Sequence, residues 1–241
     1  MRKEDLGPGF HFNLGGNLGY TDGNSSFFQN RSNLRIDYVR GWGQAFLASN
    51  YRVSIKDKNL FINKGFSHLR VVKSLRKALY GEVFVQKEFN EFIQLKDRQL
   101  LGGGLRIKWD EVESFTFIPE QLQLATGIGV MWEREVFNIE SDGGQGDPIH
   151  GDLAALLRST NYMVLNWRPR ETLGFLTIAY FQVDTRRVSD HRILALSTLR
   201  VMIAKRLELT VEMNLRYDSE PPEGVESMDL DFTNGFSYRF K

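Results

Sequence analysis

The chain has no cysteine among its 241 residues, which excludes disulfide bonds, thiolate metal sites and cysteine nucleophiles together. Proline is also scarce, with six residues. Glycine and the aromatic residues are abundant instead, at 22 residues and 12% of the chain. Because aromatic residues favour strands and glycine favours turns, this composition indicates long strands and tight turns more than helices.

A long apolar segment and an excess of one charge are missing as well. No apolar run approaches the roughly 20 residues that a membrane-spanning helix needs. The 31 basic and 30 acidic residues leave a formal net charge of +1, which argues against a nucleic-acid partner. The mean hydropathy of −0.34 is common in water-soluble proteins, but it also fits a transmembrane β-barrel, in which alternate residues face a polar interior.

The clearest positive feature is alternation at the end of the chain. Apolar and aromatic side chains share one face of the expected strand, at Met228, Leu230, Phe232, Phe236, Tyr238 and Phe240. Polar and charged side chains share the other face, at Asp229, Asp231, Thr233, Ser237, Arg239 and Lys241. A closing strand of a transmembrane β-barrel has this pattern, and so does a half-buried strand of a soluble sandwich. The choice depends on whether the pattern recurs.

The alternation recurs along the whole chain in about twelve segments separated by turn residues. It is cleanest in LELTVEMNLRYD, whereas the fourth segment is irregular and is expected to carry a β-bulge. The eighth, ninth and tenth segments are apolar on both faces. The segments span about 10–20, 27–39, 47–56, 60–73, 79–92, 101–109, 121–133, 153–167, 172–183, 191–203, 207–218 and 228–240.

These segments predict an all-β fold, a single antiparallel up-and-down transmembrane β-barrel of about twelve strands over residues 10–241, after an N-terminal periplasmic tail over residues 1–9. Connections after even-numbered strands are mostly tight, as in RGWG, RPRET and AKR, while several after odd-numbered strands are long. Barrels combine short periplasmic turns with longer external loops, so both termini are expected on the periplasmic side. The polar start MRKEDLGPG lacks a signal-peptide core, so a mature or trimmed form is expected.

Aromatic residues cluster near the expected strand ends. Trp42, Trp109 and Trp167 lie at junctions after even-numbered strands, which chain order would bring to one rim. Interfacial aromatic girdles produce this grouping, and a soluble sandwich gives no reason for it. The predicted girdle consists of Tyr38, Trp42, Trp109, Trp132, Trp167, Tyr217, Tyr238 and Phe240.

The polar faces of the strands predict a charged interior. The candidate lumen residues are Arg35, Asp37, Arg52, Lys56, Glu82, Arg106, Lys108, Glu133, Glu208, Glu212, Arg216, Asp218, Asp229, Asp231 and Arg239. In one interpretation these charges line a narrow water-filled pore and set its solute preference. In the other they pair across strands and fill the interior. An ion-pair ladder between the last two strands, with Arg216 near Asp231, is expected in the second case.

The residues give no grouping that predicts an enzyme, a cofactor or a metal site. Ser67 and His68 are adjacent on a strand and point to opposite faces, so they cannot form a nucleophile–base pair. Gly102, Gly103 and Gly104 are not followed by Lys-Ser/Thr, which excludes a phosphate-binding loop and favours small residues in a curved wall. Asp142, Asp147 and Asp152 match no EF-hand spacing, and their segment is expected to be an ordinary external loop.

Several passages resemble a known family. NYMVLNW, SDHRILALSTLRV and the motif Arg216-Tyr217-Asp218-Ser219 followed by Pro221-Pro222-Glu223-Gly224 are similar to the salt-induced outer-membrane proteins of Gram-negative bacteria, a family of unknown function. The resemblance covers most of the chain and implies an outer-membrane β-barrel, with outer-membrane lipid and the barrel-assembly machinery as partners. It supplies no reaction or ligand. Lys241 departs from the family pattern, in which the chain ends at the aromatic residue.

Three functions are compatible with these patterns. The first is a passive outer-membrane channel for small solutes or ions. The second is a closed structural or adaptor barrel whose outer loops bind a partner or surface polysaccharide. The third, a soluble lipid-binding barrel, requires the aromatic faces to point inward and the charged faces outward.

Overall fold

The computed structural model describes residues 6–23, 26–112, 115, 118–137, 153–222 and 224–238. Two 3₁₀ turns, Glu91–Ile93 and Trp109–Glu111, interrupt an otherwise all-β chain. The strands are β1 (Gly9–Thr21), β2 (Phe27–Arg40), β3 (Gly43–Lys56), β4 (Asn59–Arg76), β5 (Leu79–Asn90), β6 (Leu95–Lys108), β7 (Leu122–Phe137), β8 (Leu153–Arg170), β9 (Leu173–Asp184), β10 (His191–Ala204), β11 (Leu207–Asp218) and β12 (Met228–Tyr238).

The twelve strands form one sheet in which chain order and spatial order are the same. Each strand is antiparallel to the strand that follows it, from β1 with β2 to β11 with β12. This arrangement confirms the predicted all-β, antiparallel, up-and-down topology. Across the described residues, no backbone ladder joins β1 to β12, which are the two edges of the sheet.

The sheet is curled around an interior. In a flat sheet, β3 and β12 would lie nine strand spacings apart, roughly 43 Å. Arg52 of β3 nevertheless lies 3.9 Å from Asp231 of β12. Arg216 of β11 similarly lies 3.6 Å from Glu88 of β5. Because these side chains lie on one face of the sheet and meet across it, that face is the inside of the curl.

Burial is inverted relative to a water-soluble protein, in which charged side chains are rarely fully buried. Over the described residues, fifteen polar or charged side chains are buried, against eleven hydrophobic ones. Arg158 is 0% exposed, whereas Phe12 is 72% and Leu14 is 81% exposed. The interior is therefore polar, and the outer surface carries the large apolar side chains.

No helix in the described part of the chain is long and apolar enough to cross a membrane.

Local irregularities explain where the predicted strand limits differ from the observed ones. The bulge expected in the fourth strand is present, because the β3–β4 register shifts between Ser54 and Ile55. β6 begins at Leu95, six residues before the predicted start, since a register shift between Leu95 and Asp97 breaks the alternation there. The fifth strand ends at Asn90 because the chain turns into Glu91–Ile93.

Candidate functional site

The ladder registers assign the predicted lumen residues to one face of the sheet, because directly opposed residues of antiparallel strands share a face. All except Arg239 lie within β2 to β12, on the same inward face as the fully buried Arg158. Arg239 lies outside the described residues. That these side chains border a solute pathway stays a prediction.

The predicted aromatic residues lie toward both ends of the strands. Tyr38, Trp42, Trp109, Trp167 and Tyr238 lie toward the end with the short turns, which we call the short-turn end. Trp132 and Tyr217 lie toward the opposite end, which carries the longer connections after the odd-numbered strands. Trp109 is in a 3₁₀ turn, and its indole Nε1 donates a hydrogen bond to Thr126 Oγ1 at 2.9 Å. Phe240 lies outside the described residues.

A buried group of ion pairs occupies the interior toward the longer connections. We call it the ion-pair cluster, and it consists of Arg98, Glu133, Glu135, Arg158, Asp190, Arg192 and Asp218. Its central carboxylate belongs to Glu133, which is 0% exposed. Arg98 Nη2 lies 2.5 Å and Arg192 Nη1 2.9 Å from Glu133 Oε1, and Arg158 Nε donates to Glu133 Oε2.

The remaining contacts satisfy the outer charges of the cluster. Arg158 donates to both carboxylate oxygens of Asp190 at 2.8 and 2.9 Å. Arg192 donates to both carboxylate oxygens of Glu135 at 2.8 and 3.0 Å, and to Asp218 at 2.7 Å. Two-point contacts of this kind fix the planar guanidinium groups in place. The cluster therefore joins β6, β7, β8, β10 and β11 through their side chains.

The sequence identified only part of this cluster. Glu133 and Asp218 were among the predicted lumen residues, while Arg98, Glu135, Arg158, Asp190 and Arg192 were not. Arg98 lies before the predicted start of its strand. Arg158 and Arg192 lie in segments that are apolar on both faces, where alternation does not assign an inward side. The available indication was an isolated charge in each segment, Arg158 in the eighth and Arg192 and Arg200, eight residues apart, in the tenth.

The ladder expected between the last two strands is not the arrangement observed. Arg216 lies opposite Asp229, and Asp231 lies opposite Asn214. Arg216 reaches across the interior to Glu88 of β5, at 3.6 Å, and Asp231 reaches Arg52 of β3, at 3.9 Å. Curling of the sheet brings distant strands within reach of long side chains, which the pairing of neighbouring strands does not reveal.

Aromatic rings and further ion pairs lie inside the curl on β2 to β5, toward the short-turn end. Arg35 donates two hydrogen bonds of 2.7 Å to Asp37, and its guanidinium lies 4.4 Å from the centre of the Phe46 ring. Arg70 lies 3.6 Å from Glu82 and 5.0 Å from the centre of the Phe84 ring. Charge and ring contacts thus stabilise the same arginine side chains.

A cavity of about 920 Å³ lies at the short-turn end, and we call it the basic cavity. Three acidic side chains line it, those of Asp110, Glu171 and Glu208. Seven basic side chains line it as well, those of Arg35, Arg40, Arg70, Arg106, Lys108, Arg168 and Arg200. Arg35, Arg70 and Lys108 are paired with acidic side chains that do not line the cavity. Four basic side chains without an ion pair among the described residues then face three acidic ones, and this small excess of positive charge favours anions inside the cavity.

Glu111 lies beside this cavity, in the 3₁₀ turn that follows β6. Its carboxylate accepts hydrogen bonds of 2.7 Å from the Tyr80 hydroxyl and 2.8 Å from Lys108 Nζ. Burial opposes ionisation of Glu111, but these hydrogen bonds outweigh it and lower the pKa of the carboxyl. One of the basic side chains of the cavity is thereby neutralised locally.

The histidines and acidic residues add no further candidate site. Within the described residues, no group of three or more His, Asp or Glu side chains is placed to hold a metal ion. His68 is hydrogen-bonded to Gln86 at 2.8 Å, while Ser67 pairs with Ser49 on the other face. Asp142, Asp147 and Asp152 lie outside the described residues. The prediction that the chain is not an enzyme stays a prediction.

Comparison with known proteins gives one family and one solved structure. The NanC porin structure in a rhombohedral crystal form aligns with 95% of this chain and 99% of its own, at 9% identity and a TM-score of 0.49. That likeness is too distant to carry an argument about this chain. Comparison with curated proteins gives no match. The name of the salt-induced outer-membrane family therefore stays a prediction. The sequence model of the family described as "Protein of unknown function, DUF481" matches residues 11–240, and the chain belongs to that family.

Proposed function

We propose that this chain is an outer-membrane β-barrel of a Gram-negative bacterium that passes small anionic solutes through its charged interior. The observation that carries the proposal is the inverted burial. Charges lie inside the curled sheet, and exposed aromatic and aliphatic side chains such as Phe232 and Phe236 lie outside it. An apolar outer face is stable in contact with lipid, whereas its exposure to water is unfavourable.

Strand length and sheet edges fit a membrane environment. The strands contain 11 to 18 residues, which meets the roughly 9–11 residues that a tilted strand needs to cross the hydrocarbon core. Unpaired backbone groups in lipid cost several kcal/mol each, so open sheet edges are not tolerated there. We therefore expect β1 and β12 to pair in the membrane and complete the barrel, with the short-turn end on the periplasmic side.

The electrostatics of the interior support an anionic solute. The basic cavity presents seven basic and three acidic side chains at the short-turn end. The ion-pair cluster fills the interior beside β6 to β8 and β10. Beside β1 and β12 the inward side chains of Asn13 and Asn17 are exposed, and Asp231 is half-exposed. Because of this difference, we expect the solute path to pass the cluster on the side of β1 and β12.

Single-channel recording tests the proposal directly. The protein would be refolded in detergent, inserted into a planar lipid bilayer and measured under a salt gradient. We expect unitary current steps with an anion preference, and Arg106→Gln should move the reversal potential toward that of a cation-preferring pore because Arg106 lines the cavity. Lys205→Gln is the matched control, since Lys205 is exposed in a turn at the same end.

A closed structural barrel is the second candidate, and the ion-pair cluster favours it. Arg158 and Glu133 are both 0% exposed, and paired buried charges of this kind close an interior rather than line a pore. Folded, heat-modifiable protein that inserts into bilayers but carries no current would contradict the channel. That outcome would support the closed barrel and direct attention to the external loops.

A further inference from the structure

The basic cavity has two chemically different walls. Its volume of about 920 Å³ lies within the roughly 300–1,000 Å³ of small-molecule sites. Basic and polar side chains from β2 to β6 form most of one wall. The other wall includes inward apolar side chains from the eighth and ninth strands, the region in which the sequence showed apolar residues on both faces.

The apolar wall is continuous because its members are neighbours in the sheet. Val164 of β8 lies directly opposite Ile178 of β9, which lies opposite Leu196 of β10. Leu176, two residues from Ile178, shares this face, and Val164, Leu176 and Ile178 all line the cavity. Val164, Leu176 and Ile178 are each partly exposed, so other side chains do not fully cover this apolar surface.

The basic wall contains a guanidinium with unused hydrogen-bonding capacity. Arg106 Nε is buried and has no hydrogen-bond partner among the described residues. Over the same residues Arg106 forms no ion pair, whereas Arg35 and Lys108 contact Asp37 and Glu111. A buried donor without a partner is costly, and a carboxylate can accept two hydrogen bonds from one guanidinium. Arg106 is therefore a cation with a buried, unpartnered donor in the cavity, and an incoming anion can pair with it.

We propose that the basic cavity binds small amphipathic organic anions, specifically carboxylates with an aliphatic chain. The carboxylate pairs with Arg106, and the chain lies against Val164, Leu176 and Ile178. This inference deepens the proposed function, since it names the solute class of the same cavity and rests on that function for its physiological meaning. Inorganic anions have no aliphatic chain to bury against the apolar wall, so they gain no binding free energy from it.

Calorimetric titration of the refolded protein in lipid nanodiscs tests this inference, with empty nanodiscs giving the heat of partition into lipid. The probes are hexanoate, acetate and 1-hexanol. We expect saturable binding of hexanoate, binding of acetate weaker by about tenfold or more because the apolar wall is unused, and no saturable binding of 1-hexanol. Equal affinities for hexanoate and acetate would overturn the proposal without any variant.

Two variants test which wall binds the carboxylate and which wall binds the aliphatic chain. Arg106→Gln should weaken hexanoate binding by about tenfold or more, and Ile178→Thr should reduce the preference for hexanoate over acetate. Lys205→Gln should change neither, and circular dichroism with heat-modifiability verifies folding. Unchanged hexanoate affinity in folded Arg106→Gln would overturn the assignment. Binding without bilayer current would contradict only the channel, and current without hexanoate binding would contradict only this inference.

Discussion

Glu133 shows how single side chains determine the interior of this protein. Three arginines from three strands contact its carboxylate, and each of them also contacts another acidic group. Every buried charge in this arrangement has an opposite charge at contact distance. Removing one partner from such a set leaves uncompensated buried charge, which costs more than the intact pair contributes.

Glu133→Gln should therefore be strongly destabilising. We expect a loss of about 3–5 kcal/mol in the free energy of unfolding, because Arg98, Arg158 and Arg192 would share a neutral partner. Urea unfolding of the refolded protein, followed by tryptophan fluorescence, measures the change.

Asp231→Asn is the matched control for that measurement. Asp231 is half-exposed and lies 3.9 Å from Arg52, so its loss should cost at most about 1 kcal/mol. Similar costs for the two substitutions would contradict the central role of Glu133.

At the scale of the strands, inward glycines make room for rings from neighbouring strands. A Cβ atom at Gly127 would lie 2.1 Å from Tyr162 Cε1, and one at Gly102 would lie 2.5 Å from Phe84 Cζ. The run Gly102–Gly104 predicted a need for small residues in a curved wall. Gly127 could not be identified in this way, because the residue that requires the space is Tyr162, 35 positions later in the chain.

Gly127→Ala should destabilise the protein because the Tyr162 ring must move. We expect a cost of about 1–3 kcal/mol, the usual range for overpacking, measured by urea unfolding. Gly235→Ala on β12 is the control, since a Cβ atom there would have no atom of the described residues within 4 Å. Combining Gly127→Ala with Tyr162→Ala should remove the added penalty, and strictly additive costs would contradict the proposed clash.

The alternation of residues predicted the strands well where the two faces differ in chemistry. β11 was predicted at 207–218 and is observed at Leu207–Asp218. The alternation failed to predict the start of β6, where a register shift interrupts the two-residue period. It also left the inward faces of β8, β9 and β10 unassigned, because both faces of those strands are apolar. The inward faces of β8 and β9 form the apolar wall of the basic cavity.

At the scale of the whole molecule, the outward face is the surface on which the membrane proposal depends. Leu209 of β11 lies directly opposite Phe236 of β12, and both side chains are on the outward face. Phe236 is 67% exposed. Thr210 and Gly235 form the next pair, on the inward face. An arginine at Leu209 would therefore point outward and an arginine at the adjacent Thr210 would point inward, at the same height in the sheet.

Leu209→Arg should impair assembly in the membrane. A lipid-facing arginine costs about 2–4 kcal/mol at the bilayer midplane and about 0–1 kcal/mol near the interfaces. Leu209 lies two residues from the start of β11, so we expect a cost below the midplane range and less heat-modifiable barrel in refolding assays with lipid vesicles. Thr210→Arg, which adds the same charge to the inward face, should have a clearly smaller effect. A protein that stays soluble without detergent, with both variants behaving alike, would contradict the membrane proposal.

The strand number, the up-and-down order and the charged face of most strands could be predicted from the sequence, because these properties depend on neighbouring residues and on a period of two. Which charges meet depends instead on how the sheet curls. Curling of the sheet brings Arg192 to Glu133 and Glu135, and Arg216 to Glu88, across the interior. Curling also brings Arg106 of β6 and the apolar wall of β8 and β9 to opposite sides of one cavity. In a flat sheet these side chains would not face each other.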